Sequence, residues 1–268
     1  METLRDTAEA WLRRGRAAVV VRVSEARGSV PREAGTRMLV APGEVAGTIG
    51  GGHLEWQAIA RAREMLANDA AAPQSIHYAL GPSLGQCCGG AVTLSFERLL
   101  AEQLAAWTQE AARFHLQLYG AGHVGRAIVR LLATLPVEVD WIDEREDEFP
   151  ASLDGRPWPR HIRRLAVDAV EGEVRHAPPG AFYLVLTHQH ELDLRLSEAI
   201  LRRGDFGFFG LIGSKTKKQR FVHRLEERGV PHAAIDRMVC PIGLPGIAGK
   251  APEVIAVAVV AQLLRASA

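Results

Sequence analysis

The sequence predicts an α/β protein, with an N-terminal mixed α/β domain followed by a Rossmann-like domain built on a doubly wound parallel sheet. Three observations lead to this prediction. Beyond residue 113, short apolar segments alternate with segments of helical periodicity, as in successive βαβ units. The first of those apolar segments runs into a glycine-rich turn that begins at Gly120. Before residue 98, β-branched stretches are separated by glycine- and proline-rich loops, which indicates a separate domain.

The bulk composition limits the number of domains and the kinds of partner. A length of 268 residues favours two domains, which we place at residues 1–110 and 111–268. Hydrophobic residues make up 47% of the chain and charged residues 24%, as in an ordinary soluble globular protein. The formal net charge of +1 offers no basic field for nucleic acid or an anionic membrane, so we expect neither as a partner.

The N-terminal residues and the cysteine content lead us to expect a cytoplasmic protein. The first residues carry Glu2, Asp6 and Glu9 and lack an apolar core, which favours an amphipathic helix over a secretory signal peptide. The most apolar stretch, Val254–Ala261, is too short to span a bilayer. Three cysteines, two of them adjacent, do not make a disulfide framework and suit a reducing compartment.

Hydrophobic periodicity predicts the helices and strands of both domains. The strands of the first domain are Ala17–Val23, Thr36–Val40, Val45–Ile49, Ser75–Leu80 and Ala91–Phe96. Its helices are the N-terminal one, His53–Ala67, and a connecting helix over Leu99–Ala112. The strands of the second domain are Phe114–Tyr119, Val137–Ile142, His161–Leu165, Phe182–Thr187 and Phe206–Ile212. Its helices are Val124–Leu135, Leu192–Arg203, Lys215–Arg228 and Pro252–Leu264.

The glycine-rich turn has the context of a dinucleotide-binding loop. It lies between a predicted strand and a predicted helix, and Asp143 follows 23 residues after Gly120, near the place of a ribose-binding acid. Gly120 permits the tight turn, Gly122 lets the backbone approach a diphosphate, and Gly125 lets helix and sheet pack closely. The role of Arg145 has two interpretations, because this residue could accommodate a 2′-phosphate or pair with the surrounding acids Glu144, Glu146 and Asp147.

Other polar groups follow later strands of the second domain, at the sheet edge where such folds bind ligands. His188, His190 and Asp193 could suggest a metal, but no further strong ligand is spaced to complete the site. The segment 214–220 begins with a good helix cap at Ser214, and its basic residues could hold a phosphate or form a solvated helix face. The loop after Cys240 is rich in glycine and proline and is typical of a pocket, an interface or a plain connection.

Three segments of the first domain are unlike ordinary structural sequence: residues 28–35, 47–55 and 81–90. Each is rich in glycine and could offer backbone N–H groups to an anionic ligand. The third carries the adjacent pair Cys87 and Cys88, whose spacing does not suit a zinc site. A single thiolate there could contact a soft metal or handle sulfur, whereas the alternative is two small buried residues.

Taken together, these segments resemble the XdhC family, the accessory proteins of xanthine dehydrogenase maturation. The matching segments are GSVPREAGTRMLV, GTIGGGHLEWQAI and LGQCCGG in the first domain, and LYGAGHVGRAIVRLL, WIDERED, VLTHQHELD, GLIGSK and CPIGLPGIAGKAPEVIAVAVVAQLL in the second. They cover nearly the whole chain in one order, which is far more specific than any single motif.

The resemblance implies a carrier of the molybdenum cofactor that keeps the sulfurated form intact and delivers it to apo-xanthine dehydrogenase. It also implies self-association as a homodimer and contact with a cysteine desulfurase. The implied cofactor-handling residues of the first domain are Arg32, Gly51, Gly52, His53, Gln86, Cys87 and Cys88, of which Cys87 and Cys88 are the candidates for the metal. In the second domain, the glycine-rich turn and the acid after it give the candidates Gly120, Gly122, His123, Gly125 and Asp143, for the cofactor or a nucleotide.

Two other functions stay open at the level of sequence. An NAD(P)-dependent oxidoreductase would use the glycine-rich turn and Asp143, although the first domain offers no obvious catalytic acid or base for it. A purely structural interaction partner would bind no small molecule at all. We expect no catalytic residue, because no constellation of nucleophile, base and orienting group is apparent in the sequence.

Overall fold

The structure is a computed structural model, and it describes residues 4–68, 72–80, 89–105, 107 and 112–268. The chain divides into two compact units, Glu2–Gln109 and Glu110–Ala268, which we call the N-terminal and the C-terminal unit. The first contains an antiparallel sheet and the second a parallel sheet, so the predicted fold class is confirmed.

The N-terminal unit is an antiparallel sheet with helices on both faces. Its strands are β1 (Val19–Arg27), β2 (Arg37–Val40), β3 (Val45–Gly47), β4 (Gln74–Ala79) and β5 (Ala91–Arg98), in the spatial order β3-β2-β1-β5-β4. Its helices are α1 (Leu4–Arg13), α2 (Gly52–Ala67) and α3 (Ala101–Ala105). Because successive side chains of a strand point to opposite faces, Val19 and Val21 pack in one core with Leu54 of α2, while Val20 packs in the other with Trp11 of α1.

The connecting helix is shorter than predicted. It ends at Ala105, whereas the predicted range extends to residue 112 and includes residues 106 and 108–111, which are outside the described part of the chain. Trp107 has left the helix, and its carbonyl oxygen accepts a 2.7 Å hydrogen bond from the guanidinium of Arg5. Local helix propensity does not reveal a long-range contact of this kind.

The C-terminal unit has a parallel sheet with the strand order of a dinucleotide-binding fold. Its strands are β6 (His115–Tyr119), β7 (Glu138–Asp143), β8 (Ile162–Ala166), β9 (Phe182–Val185), β10 (Phe208–Leu211) and β11 (Met238–Val239). They lie in the order β8-β7-β6-β9-β10-β11, so the chain reverses its direction of winding between β6 and β9. In doubly wound sheets, that point is where ligands bind.

Helices cover both faces of this sheet and complete two hydrophobic cores. They are α4 (His123–Leu132), α5 (His190–Arg203), α6 (Lys215–Glu227), α7 (His232–Ile235) and α8 (Pro252–Ala266). Leu116 and Leu118 of β6 pack in the core that contains residues of α4 and α8. Tyr119 of the same strand belongs to the opposite core, which contains residues of α5 and α6.

The elements that the sequence did not predict are all short. They are α7, β11 and two 3-10 helices, Glu146–Glu148 and Val170–His176. Segments of this length show no usable hydrophobic period, so pattern analysis treats them as loops. In the described ranges there is no helix with both the length and the apolar character needed to cross a membrane.

The three glycines of the turn after β6 differ in whether the fold has space for a side chain at their positions. Gly120 adopts a φ of +124°, and a Cβ there would lie 2.3 Å from the carbonyl oxygen of Leu186. A Cβ on Gly125 would lie 2.1 Å from the carbonyl oxygen of Gly120. Around Gly122, in contrast, a Cβ would meet no described atom within 4 Å. The fold thus requires the first and the third glycine, and it leaves space at the second.

We predict different outcomes for alanine at Gly125 and at Gly122. Gly125→Ala forces helix and loop apart and should lower the free energy of unfolding by about 1–3 kcal/mol, the usual effect of overpacking. Gly122→Ala is the matched control and should change it by less than about 1 kcal/mol, because Gly122 has an extended backbone and open space. Urea unfolding followed by circular dichroism measures both values, and equal losses would contradict the assigned duties.

Candidate functional site

The three glycine-rich segments of the N-terminal unit meet at their described residues. A Cβ on Gly50 would lie 2.5 Å from Cβ of Pro31, so the second segment packs directly on the first. A Cβ on Gly90 would lie 2.4 Å from the carbonyl oxygens of Arg27 and Ser29, so the end of the third segment packs on the first as well. The segment around Pro31 therefore lies between the other two, and small residues make both contacts possible.

The described ends of the third segment are hydrogen-bonded to each other. The backbone N–H of Leu80, directly after β4, donates a 2.8 Å hydrogen bond to the carbonyl of Gly90, just before β5. Between these two residues lie Gln86, Cys87 and Cys88, which fall outside the described residues. The described flanks of that segment are thus beside the first glycine-rich segment.

A carboxylate of the protein itself holds the second segment. Oε2 of Glu55 accepts hydrogen bonds from the N–H groups of Ile49 and Gly51, each at 3.0 Å, and one from the hydroxyl of Thr48. The loop also needs glycine, because Gly50, Gly51 and Gly52 have φ angles of +119°, +76° and +65°. Two amides that the sequence offered to an anionic ligand are therefore already occupied, and the loop is fixed to the first turn of α2.

The remaining candidates of this unit are exposed side chains beside that loop. Arg32 follows Pro31, and within the described residues its guanidinium makes no hydrogen bond or ion pair. His53 lies in the first turn of α2, with Nε2 3.0 Å from Nε2 of Gln57. No side chain caps this helix at Gly51. A cation without a described partner and an imidazole thus lie next to the point where the glycine-rich segments meet.

In the C-terminal unit, Asp143 holds the glycine-rich turn from the end of β7. Its Oδ2 accepts a 2.7 Å hydrogen bond from the N–H of Ala121. Arg145 donates to the same carboxylate through its backbone N–H at 3.0 Å, through Nε at 2.9 Å and through Nη2 at 3.0 Å. A ribose hydroxyl would have to displace one of these four internal donors.

The same contacts set the charge of Asp143. Burial opposes its ionisation, but the hydrogen bonds from Arg145 and from the amide of Ala121 outweigh that effect and lower the pKa of the carboxyl. Arg145 also bonds Glu148 at 3.2 Å. Of the two interpretations of Arg145, the structure shows the pairing with acids, although the bonded acids are Asp143 and Glu148 and not Glu144, Glu146 or Asp147.

The remaining two candidate residues of this turn, Gly122 and His123, lie at the start of α4. Gly122 precedes the first residue of α4 and receives no side-chain cap. His123 begins α4 and is exposed. The uncapped amides at this helix start are of the kind that bind phosphate groups.

The next strand end contains a buried ion pair that the sequence did not predict. Oδ1 of Asp193 accepts hydrogen bonds from the N–H and the hydroxyl of Thr187, at 3.0 and 2.7 Å. Its Oδ2 is 2.6 Å from Nζ of Lys217, which also donates to the carbonyl of Ile212 at 2.8 Å. The side chains of Asp193 and Lys217 are only 2% and 12% exposed. Asp193 and Lys217 both lie in segments that the sequence marks as possible ligand sites. They are 24 positions apart, so the sequence gives no sign that they form an ion pair.

These contacts also separate Asp193 from the histidines considered with it. Asp193 bonds Lys217 and Thr187, whereas Nε2 of His188 is 3.4 Å from Oε1 of Glu144. Among the residues that the structure describes, no group of three or more His, Cys, Asp or Glu is placed to hold a metal ion. The segment is thus a polar connection between strand ends.

Comparison with known proteins gives matches along most of the chain. Residues 11–79 match the family model described as the XdhC and CoxI family, and residues 116–263 match that described as the XdhC Rossmann domain. The Escherichia coli protein YqeB is 28% identical over 255 residues, which are 92% of this chain but 43% of that protein. This chain therefore spans less than half of that relative's length.

A solved structure has the same fold. A crystal structure described as a xanthine dehydrogenase from Bacillus halodurans superposes with a TM-score of 0.78 at 19% sequence identity. The alignment covers 98% of this chain and 95% of that one. The likeness thus extends over both units and concerns the fold.

We predict that Asp143 stabilises the C-terminal unit in a pH-dependent way. Since its folded-state pKa is lowered, the carboxylate stabilises the fold above the ordinary aspartate pKa of about 3.9 and loses this contribution as the pH falls through the folded value. Asp143→Asn should therefore lower the free energy of unfolding at neutral pH by about 1–3 kcal/mol, as for a lost charged hydrogen bond, and by less below about pH 4.

Urea unfolding of both proteins between neutral pH and the acid range measures this difference. Asp168→Asn is the control, because Asp168 is exposed and no described residue bonds its side chain. A deficit of Asp143→Asn that does not shrink in acid would contradict the assignment.

Proposed function

The chain belongs to the XdhC and CoxI family, and from this premise we propose that it carries the molybdenum cofactor during the maturation of xanthine dehydrogenase. In this proposal it binds the cofactor, protects the sulfurated form and inserts it into apo-xanthine dehydrogenase. The observation that carries the proposal is the meeting of three glycine-rich segments in the N-terminal unit, in a chain that matches the family in both units.

The chemistry of this meeting point suits the cofactor. The cofactor is a pterin with a dithiolene and a phosphate, so it needs an anion-binding group, space near the backbone and a soft ligand. Arg32 supplies a guanidinium without a described partner, and Gly51 and Gly52 let a ligand approach the backbone. Cys87 or Cys88 would supply the thiolate for the metal, with Gln86 beside them, and His53 would complete the site.

The partners in this proposal follow from the same role. The client is the apo-dehydrogenase, and a cysteine desulfurase supplies the sulfur of the active cofactor. The protein acts as a homodimer in the cytoplasm, and it is a carrier and not a catalyst. The Bacillus halodurans structure of the same fold is itself described as a xanthine dehydrogenase, which supports a connection with that enzyme.

The glycine-rich turn of the C-terminal unit would serve as a second, phosphate- or nucleotide-binding site. Gly120 and Gly125 shape the turn, while Gly122 and His123 face open space at an uncapped helix start. Asp143 would bind a ribose only after exchanging an internal donor for it. We therefore assign this turn a supporting role in the carrier.

The open space at Gly122 also favours a second candidate function, an NAD(P)-dependent oxidoreductase. The carboxylate of Asp143 already accepts hydrogen bonds from Ala121 and Arg145. This argues against the oxidoreductase, because that acid is the group expected to bind the ribose. Calorimetric titration with NAD(H) and NADP(H) separates the two functions. Tight binding accompanied by turnover would favour the oxidoreductase over the carrier.

The proposal predicts which side chains the cofactor requires. Cys87→Ala or Cys88→Ala should abolish retention of the molybdenum, and Arg32→Ala should weaken retention of the cofactor about tenfold, as for one lost charge-assisted hydrogen bond. The assay is the molybdenum and pterin content of the full chain after gel filtration with isolated cofactor.

Matched controls for this experiment lie in the same chain. Cys240→Ala removes a buried thiol of the C-terminal unit, whose pKa burial raises and which is therefore a poor ligand. Arg14→Ala removes an exposed arginine directly after α1. Retention that is unchanged in Arg32→Ala and in both Cys87→Ala and Cys88→Ala would overturn the proposed site.

A further inference from the structure

Trp56, on the first turns of α2, is an unusually exposed aromatic side chain. All five tryptophans of the chain are described, and only Trp56 is exposed, with 65% of its surface in contact with solvent. Trp11 and Trp141 are buried, and Trp107 and Trp158 are half-buried. An indole left in water forgoes the stabilisation of burial and leaves its face available to another molecule.

A neighbouring ring holds the indole in a defined orientation. The imidazole of His53 lies one helical turn earlier, with its centroid 5.6 Å from that of Trp56 and an angle of 17° between the planes. The amide of Gln57 is 3.0 Å from Nε2 of His53 and donates to it when the imidazole proton is on Nδ1. The two rings thus form a nearly parallel pair, which we call the aromatic shelf.

The surroundings of the aromatic shelf do not resemble a protein-binding patch. The other positions along the same face of α2 are Gly52, Ile59, Ala60 and Arg63. Ile59 is the one large apolar residue among them, and it is half-buried, so this face adds little apolar surface. A tryptophan that anchors a protein interface lies among other residues that exclude water. A single exposed indole face instead matches the area of one planar ring system.

The aromatic shelf is fixed to the site proposed above. Helix α2 begins at Gly52, directly after the loop that Glu55 holds through Ile49 and Gly51. Glu55 and Trp56 are adjacent residues of the same helix, so the shelf cannot move independently of that loop. Among the described residues, Trp56 is the exposed indole attached to the glycine-rich meeting point.

We infer that Trp56, oriented by His53, stacks on the pterin ring system of the bound cofactor. The inference rests on the proposed function and adds the group that recognises the planar, fused heteroaromatic part of the ligand. The flat face of a pterin covers an indole as a nucleobase does, and such stacking tolerates variation in the ring substituents. Arg32 would then serve the charged part of the same molecule.

The test uses the full chain and two ligands, pterin-6-carboxylate and isolated molybdenum cofactor. Trp56→Ala should weaken the binding of both ligands about tenfold, whereas Trp56→Phe, which keeps an aromatic face, should stay within about threefold of the wild type. Leu100→Ala is the control, because Leu100 is another exposed apolar residue of the same unit, with 51% of its surface exposed. Calorimetry gives the affinity for the pterin, and retention after gel filtration gives that for the cofactor.

A second readout needs no variant. Hydroxyl-radical footprinting with mass spectrometry measures the oxidation of Trp56 in the wild-type chain, and saturating pterin should reduce it several-fold while Leu100 is oxidised as before. This measurement decides the matter even if Trp56→Ala fails to fold.

The outcomes separate the aromatic shelf from the carrier function. If the wild type retains the cofactor and Trp56→Ala retains it equally well, the shelf is wrong and the carrier function stands. If the wild type retains neither ligand, the carrier function fails and the shelf fails with it. If Trp56→Ala keeps its pterin affinity but loses binding to apo-xanthine dehydrogenase, Trp56 contacts a protein and the inference is overturned.

Discussion

Close approach of backbone to backbone is the constraint on which both candidate sites depend. In the N-terminal unit, Gly90 lies against the carbonyls of Arg27 and Ser29, and no side chain fits between them. In the C-terminal unit, Gly125 lies against the carbonyl of Gly120 with the same consequence. Such contacts bring separate loops together without side chains in the way, so a ligand can reach the main chain from the open side.

Glycine-rich loops have many accessible backbone conformations, and in each unit a carboxylate holds the loop in one of them. Glu55 binds two amides of the loop before α2, and Asp143 binds the amide of Ala121 in the turn after β6. Each loop is therefore set in its conformation before any ligand arrives, which lowers the ordering cost of binding. The carboxylates also occupy N–H groups that a bare glycine pattern appears to offer. A glycine-rich motif thus locates a site more reliably than it identifies the ligand.

Much of the fold could be predicted from the sequence because the parallel strands are buried on both faces. A strand such as β9 is continuously apolar, and the helices between such strands have a clear hydrophobic period. The alternation of strands and helices in the C-terminal unit can therefore be predicted from the sequence. The strand ends could be predicted less well, since Thr187 leaves its strand to bond Asp193. Pairing between distant residues, as with Lys217, has no local signal.

Some features of the candidate site could likewise be predicted from the sequence, and others could not. The three glycine-rich segments could be located in the sequence, because clustered glycines indicate an unusual backbone conformation by themselves. Their meeting depends on strand pairing across the antiparallel sheet, where β1 lies between β2 and β5. The exposure of Trp56 could not be predicted, because an aromatic residue with helical neighbours is more often in the core.

Hydrogen exchange of the full chain, with and without bound molybdenum cofactor, tests most directly whether the glycine-rich meeting point holds the ligand. We expect slower exchange at residues 28–35, 47–55 and 89–91, while residues 120–125 change little. Slower exchange confined to residues 120–125, or none anywhere, would contradict a cofactor site in the N-terminal unit.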